Sequence, residues 1–203
     1  MKKRFLNYIK SKIKSKYPNY NNDKIDEIMY GIESLYLMIT KSIIIFLIAY
    51  FLGILKEIIL LFISFNILRK FAFGVHASNS ITCLITSSTL FIIFSFASKY
   101  ITLKNSYLLI YYIVLFLLIL IYSPSDTVKR PIINNKKRKK FKILSCLIVI
   151  IYLFISMLFN NKLIINSLVF GSLIECILIL PITYKLYKVP YNNYKNYGLN
   201  TSL

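Results

Sequence analysis

A histidine and a cysteine seven positions apart, His76 and Cys83, are the side chains of this chain best suited to covalent chemistry. His76 is the only histidine in 203 residues, and both lie in the stretch Arg69–Ser88, where reactive groups gather. An imidazole that takes the proton of a thiol makes a nucleophile able to attack a carbonyl. On one unbroken helix the two would share a face but stand about 10.5 Å apart, too far for a thiol–imidazole hydrogen bond. The pair therefore needs a break in the helix, and the sequence supplies one. Gly74 loosens the backbone ahead of His76, and Ser78, Asn79 and Ser80 offer N-cap residues before a long apolar segment. With Ser80 as N-cap, Cys83 falls in the first helical turn, where unpaired amides and the helix dipole favour a thiolate. Arg69 and Lys70 add positive charge nearby, which favours the thiolate further. The ordinary alternative is a buried cysteine acting as a small hydrophobe and a structural histidine. Membrane surroundings shift the balance, because an ionisable group beside hydrocarbon is costly to keep without a use.

Those surroundings follow from composition. The chain is 57% hydrophobic with a mean hydropathy of +0.64, far from the soluble balance. Its net charge of +19 is uneven: seven basic residues lie in positions 2–16 and eight in 129–142. No nucleic-acid recognition motif accompanies these blocks, so no nucleic-acid partner is expected. Positive loops flanking membrane spans explain them better, since Lys and Arg are retained on the cytoplasmic side and attract anionic lipid.

Residues 1–18 read either as a basic amphipathic helix lying in the membrane interface, with Phe5, Leu6, Ile9 and Ile13 on one face, or as a disordered basic tail. Apolar segments follow, reaching spanning length from about residue 34 to Leu55, then Ile58–Leu68, Ile81–Ser98, Ser106–Tyr122, Ile143–Phe159 and Leu163–Tyr184. The second is short and needs Arg69 and Lys70 to snorkel if it is to span. Short polar turns between the segments make antiparallel helical hairpins, and no barrel-like alternation is present. The fold class expected is an all-α integral membrane protein of about six transmembrane helices plus the N-terminal amphipathic helix. It forms one domain, with an interfacial helix at 1–18, a transmembrane bundle at 30–184 and a tail at 185–203. Placing both basic blocks in the cytoplasm puts both termini and the His76/Cys83 stretch at the cytoplasmic face of the membrane.

Other groups are candidates for supporting roles. Asp126, in Tyr122-Ser-Pro-Ser-Asp-Thr-Val-Lys-Arg-Pro131, is the only acidic residue between Glu57 and Glu175. It is placed to orient His76 or pair with Arg69, or else to pair with nearby lysines as a turn aspartate. Glu33 enters the first span and Glu175 lies in the sixth, where an acid faces the bundle interior or water. The block Asn134–Lys142 is read as solvated and cytoplasmic, serving orientation, lipid binding or attraction of an acidic ligand. Cys146 and Cys176, inside apolar segments, read as packing or lipid-facing residues, and three dispersed cysteines argue against a disulfide framework or a metal site.

Together these residues resemble the accessory gene regulator B (AgrB) family of membrane cysteine endopeptidases in Gram-positive quorum sensing. Tyr30-Gly31-Ile32-Glu33 is similar to the family's motif before the first span. Arg69 through Cys83 resembles its Arg-x-x-x-Gly-Gly-x-His-Ala…Cys core. Ser-Pro-Ser-Asp-Thr-x-x-x-Pro with the lysine run after it resembles its central loop, and Pro181 in Leu-Pro-Ile-Thr-Tyr-Lys fits its last helix. One departure is Phe73, where many members carry the first of two glycines. The resemblance implies a Cys83–His76 dyad, with Arg69, Gly74, Ser80, Asp126 and Glu33 supporting it. It implies cleavage of the C-terminal tail from a precursor peptide held at the membrane by an amphipathic leader, through an acyl-thioester, followed by thiolactone or lactone closure. It implies a tail that is acidic, which gives Lys136, Lys137, Arg138, Lys139 and Lys140 a substrate to bind, and it implies a homodimer. No cofactor or metal is needed by this chemistry. A different class, a small transporter or permease, would need a polar pathway near the midplane and inverted repeats, and no such repeat is visible.

Overall fold

Eight helices and no strand make up the described part of the chain in the computed structural model, which covers residues 2–75, 80–101, 103–127 and 131–195. His76 lies outside the described residues, as do Ala77–Asn79, Lys129 and Arg130. The chain divides into two compact units, Met1–Leu47 and Ile48–Leu203.

In the first unit, α1 (Lys2–Lys16) carries its lysines on an amphipathic helix, and Lys10 pairs with Asp26 at 2.6 Å on the surface. Phe5 meets Tyr36 of α2 (Asn22–Phe51), with ring centroids 5.4 Å apart. Helix α2 runs from this unit into the second.

The second unit is built from α3 (Leu55–Ala72), α4 (Ser80–Tyr100), α5 (Asn105–Tyr122), α6 (Asn135–Leu158), α7 (Lys162–Ile179) and the short α8 (Pro181–Leu186). Four helical stretches are long and apolar enough to cross a membrane: Lys24–Phe51, Ile81–Tyr100, Asn135–Leu158 and Lys162–Ile179. The shorter Ser106–Tyr122 is also apolar, and α3 has charged groups confined to its two ends, Lys56 and Glu57 against Arg69 and Lys70. The distribution of polarity is that of a membrane protein. Leu109, Ile110, Ile113, Val114 and Leu117 of α5 face outward, a patch no soluble monomer would expose. The small polar residues Ser64, Ser145, Ser156, Asn166, Ser167 and Ser172 are buried, as helices associating in lipid require.

Helix α7 is the centre of this unit, packing on α3, α4, α5, α6 and α8. Its core neighbours include Leu68, Ala72, Tyr112, Ile119, Val149 and Tyr152. Hydrogen bonds tie the helices where lipid offers no alternative partner. Tyr152 donates to the Ser64 carbonyl at 2.6 Å, and Tyr111 donates to the Val169 carbonyl at 2.8 Å. Asn166 donates to the carbonyls of Ser98 and Ile101 at 2.6 and 2.7 Å. The α3–α7 crossing is closest at Gly171, where a β-carbon would overlap the Ser64 hydroxyl and come within 2.8 Å of the Leu61 carbonyl. Gly171→Ala is therefore expected to destabilise the protein by about 1–3 kcal/mol, as overpacking of a tight core does. Ser64→Ala should recover only part of this, because the Leu61 backbone remains. Thermal unfolding in detergent checks it; a Gly171→Ala protein that melts with the parent contradicts the close crossing.

Three boundaries differ from the sequence reading. The second apolar segment extends at both ends into an 18-residue helix. The sixth breaks at Leu180, because Pro181 lacks an amide hydrogen and opens α8 as its first residue. The lysine block is helical rather than a loop: Asn134 caps α6, its side chain accepting from the amides of Lys136 and Lys137 at 2.9 and 3.3 Å.

Candidate active site

Helix α3 delivers Arg69 to its last turn and then stops. Phe73 adopts φ 62°, a left-handed value that an L-residue with a side chain adopts at a cost, and its amide still donates to the Arg69 carbonyl at 3.1 Å. Gly74 follows at φ 118°, where a β-carbon would run into the Arg69 guanidinium and within 3.0 Å of the Leu178 carbonyl. Glycine is required here by both conformation and space.

This turn is held from three sides. The Ser125 amide donates to the Ala72 carbonyl at 2.9 Å and the Gly74 amide to the Ser125 carbonyl at 2.8 Å, forming an isolated parallel bridge between Phe73 and Ser125. The Val75 amide donates to the Leu178 carbonyl at 2.9 Å, at the end of α7. From below, Arg69 Nη2 donates to the carbonyls of Gly74 and Val75 at 3.1 and 2.7 Å, while Nη1 meets Glu175 Oε2 at 3.2 Å. The chain thus reaches residue 75, one before His76, with its backbone fixed.

Cys83 lies on the far side of the interval from Val75 to Ser80. Helix α4 begins at Ser80 itself, one residue earlier than an N-cap at Ser80 would give, so Cys83 is its fourth residue and remains in the first turn. Its thiol is half-buried, whereas Cys146 and Cys176 are buried in the bundle. The Ser87 hydroxyl donates to the Cys83 carbonyl, and Thr86 donates to the Thr82 carbonyl at 2.8 Å, so these hydroxyls find their partners within α4.

Asp126 lies in the loop after α5. It is buried, and its carboxylate accepts from the amides of Asn193, Tyr194 and Ile132 at 3.0, 2.9 and 3.4 Å and stands 3.5 Å from Arg138 Nη1. Tyr184 donates to the carbonyls of Ser125 and Asp126 at 3.1 and 3.0 Å. The Ser125–Asp126 loop therefore links the Phe73–Val75 turn to the C-terminal segment. Arg69, for its part, meets Glu175 on α7. Glu33 lies in α2, within the first unit.

Of the basic block, Lys136, Lys137, Lys139 and Lys140 are exposed. Arg138 turns inward to Asp126, donates to the Pro124 carbonyl at 3.2 Å and stacks 3.5 Å over the Tyr194 ring. A cavity of about 690 Å³ opens beside it, lined by Tyr122, Arg138, Lys139, Lys142, Tyr191 and Tyr194 among others. Burial raises the Tyr191 phenol above its ordinary range, so it stays neutral beside this cavity. Lys142, outside the expected binding set, lines the cavity because it lies one helical turn beyond Arg138 and Lys139 on α6. Among the described residues no three His, Cys, Asp or Glu side chains come together to hold a metal ion.

Comparison with known proteins places this geometry in context. The family model for accessory gene regulator B matches residues 3–179. A protein of Clostridium acetobutylicum named AgrB-like is 37% identical over 164 residues, covering 81% of this chain and 78% of the relative. Another of that name in Listeria innocua is 30% identical over 171 residues, 84% of each chain. The accessory gene regulator protein B of Staphylococcus aureus is 29% identical over 187 residues, 88% of this chain and 98% of the relative. No solved structure matches.

Proposed function

Because the chain belongs to the accessory gene regulator B family, and with it to the membrane machinery of quorum-sensing regulation, we propose that it is a cysteine endopeptidase that cuts the C-terminal tail from a precursor peptide and promotes its cyclisation. The observation that carries the reading is a half-buried thiol in the first turn of α4, beyond a turn whose backbone Arg69 fixes one residue before the chain's single histidine.

On this reading His76 takes the Cys83 proton, and the thiolate attacks a precursor carbonyl. The C–N bond breaks, the leaving amine takes the proton from His76, and the tail departs with a new amino terminus, leaving an acyl-thioester on Cys83. A thiol or hydroxyl of the precursor then attacks the thioester, closing a thiolactone or lactone and returning the Cys83 thiol. Hydrolysis competes with this step, so a site that limits water favours the ring. An amphipathic leader would hold the precursor at the same anionic cytoplasmic leaflet that the basic blocks favour. Both termini and the active site belong at that face on this topology, and the enzyme would work as a homodimer.

The exposed Lys136, Lys137, Lys139 and Lys140 offer charge to an acidic tail, with Arg138 committed to Asp126. Replacing these four by glutamine is expected to raise the apparent KM for precursor severalfold while kcat changes little, an effect that shrinks at high salt. Cleavage unchanged at every salt concentration would remove the block from the binding site. The function itself is tested by coexpression with candidate short precursors, scoring release of a C-terminal fragment by mass spectrometry. Release by the parent, and none by Cys83→Ala or His76→Ala, is the expected result; release by either variant would refute the Cys83–His76 dyad.

A further inference from the structure

Glu175 is a carboxylate with no exposed surface, about one turn before the C-terminal end of the central helix α7, and the reaction above gives it no task. Among the described residues its only hydrogen-bond partner is Arg69; its second oxygen, Oε1, is buried with none. Arg69 divides its guanidinium. Nη1 faces Glu175 at 3.2 Å, and Nη2 reaches the Gly74 and Val75 carbonyls at 3.1 and 2.7 Å. The fork geometry of arginine is what allows one group to meet a carboxylate and two carbonyls in fixed directions.

Stability is a poor explanation for such a pair. Replacing a buried ion pair by well-packed apolar side chains is commonly neutral or stabilising, whereas removing one partner leaves a buried charge uncompensated. What the pair contributes that apolar residues would not is direction. Glu175 holds the guanidinium on one side, so its other side must point at the carbonyls of the two residues that precede His76. Gly74 completes the arrangement, because any β-carbon there would displace the guanidinium.

From this geometry we infer that Glu175 is a positioning residue for the active site: acting through Arg69, it fixes the Gly74–Val75 backbone that directly precedes the proposed base, His76, in the chain. The inference rests on the proposed Cys83–His76 dyad and adds to it a residue on a helix more than ninety positions away in sequence.

The test reads the dyad without needing the precursor. In full-length protein with Cys146 and Cys176 changed to serine, purified in detergent, the rate of alkylation of Cys83 by iodoacetamide is followed from about pH 5 to 9, across the range where an imidazole titrates. His76→Ala should lower the rate at neutral pH about tenfold or more and shift the pH profile upward. Glu175→Gln should do the same, and adding His76→Ala to it should change nothing further. Should Glu175→Gln fail to fold because Arg69 is left unpaired, the paired replacement Arg69→Met/Glu175→Leu removes both charges. Arg69→Lys, in turn, keeps the pair but lacks the fork. The inference requires both of these proteins to show the slowed rate and shifted profile, with thermal unfolding near that of the parent for the paired replacement. Parental alkylation in either would overturn it, since a merely structural role is satisfied once the buried charges match or are gone. Parental alkylation in His76→Ala would instead overturn the dyad itself.

Discussion

With alanine in place of Cys83, a coexpressed precursor is expected to stay at full length, release of its C-terminal fragment falling at least about a thousandfold, to background. His76→Ala should fall as far, and the double variant no further, because a nucleophile and its base act as one unit. Cys146→Ser and Cys176→Ser are the internal controls. Both thiols are buried within the bundle, Cys146 on α6 and Cys176 beside Glu175 on α7, so their loss should leave cleavage within about twofold of the parent. Quantitative mass spectrometry of the fragment separates these outcomes. Loss of cleavage in either control, with Cys83→Ala still active, would move the chemistry to another thiol.

Gly74→Ala is expected to have the next largest effect, although a single methyl is all that it adds. At φ 118° the new side chain is strained by about 1–3 kcal/mol, and its β-carbon occupies the space of the Arg69 guanidinium. Arg69 can no longer reach the Gly74 and Val75 carbonyls while facing Glu175, so the turn loses its support from below. A displacement of about 1 Å at a reacting group is enough for a hundredfold loss, and precursor cleavage should fall by about that factor while the protein still enters the membrane. Phe73→Gly is the instructive contrast. It relieves the left-handed strain at φ 62° and removes a ring that packs 5.2 Å from Phe141, so cleavage should persist within a fewfold of the parent. Steady-state cleavage with immunoblotted membranes as the loading control measures both. Equal loss in the two variants would mean that the turn tolerates no change of any kind, rather than requiring the space at Gly74.

Much of the helical order was open to reading because its cause is local. Apolar runs bounded by Lys99 and Lys104 and by Asn160–Lys162 can cross a bilayer as helices, and α4 to α7 follow those bounds. The start of α6 carries its own signal in Asn134, an N-cap residue standing directly before the lysines. Cys83 in a first helical turn was visible for the same reason, as a cap-rich run precedes it.

Other features depend on which helices meet, which no local pattern encodes. Arg69 finds Glu175 across 106 positions, and Asp126 finds the Asn193 and Tyr194 amides across 67 and 68. A sequence shows that each of these acids is costly inside the protein, but not which partner relieves the cost. Asp126 was one plausible partner for Arg69 by its isolation in sequence; packing of α3 on α7 brings Glu175 there, and Arg138 on α6 stands beside Asp126. The need for glycine at 171 likewise comes from α3, whose Ser64 and Leu61 leave no room for a β-carbon.

Intact-mass analysis of the membrane protein after brief incubation with its precursor tests the central claim most directly. The account predicts a covalent adduct whose mass is that of the precursor less that of the released tail, equal to the truncated peptide acid less one water. It should map to Cys83, be released by hydroxylamine as a thioester is, and be absent from Cys83→Ala. Tail release with no such adduct at any time point, or an adduct carried on a residue other than Cys83, would contradict it.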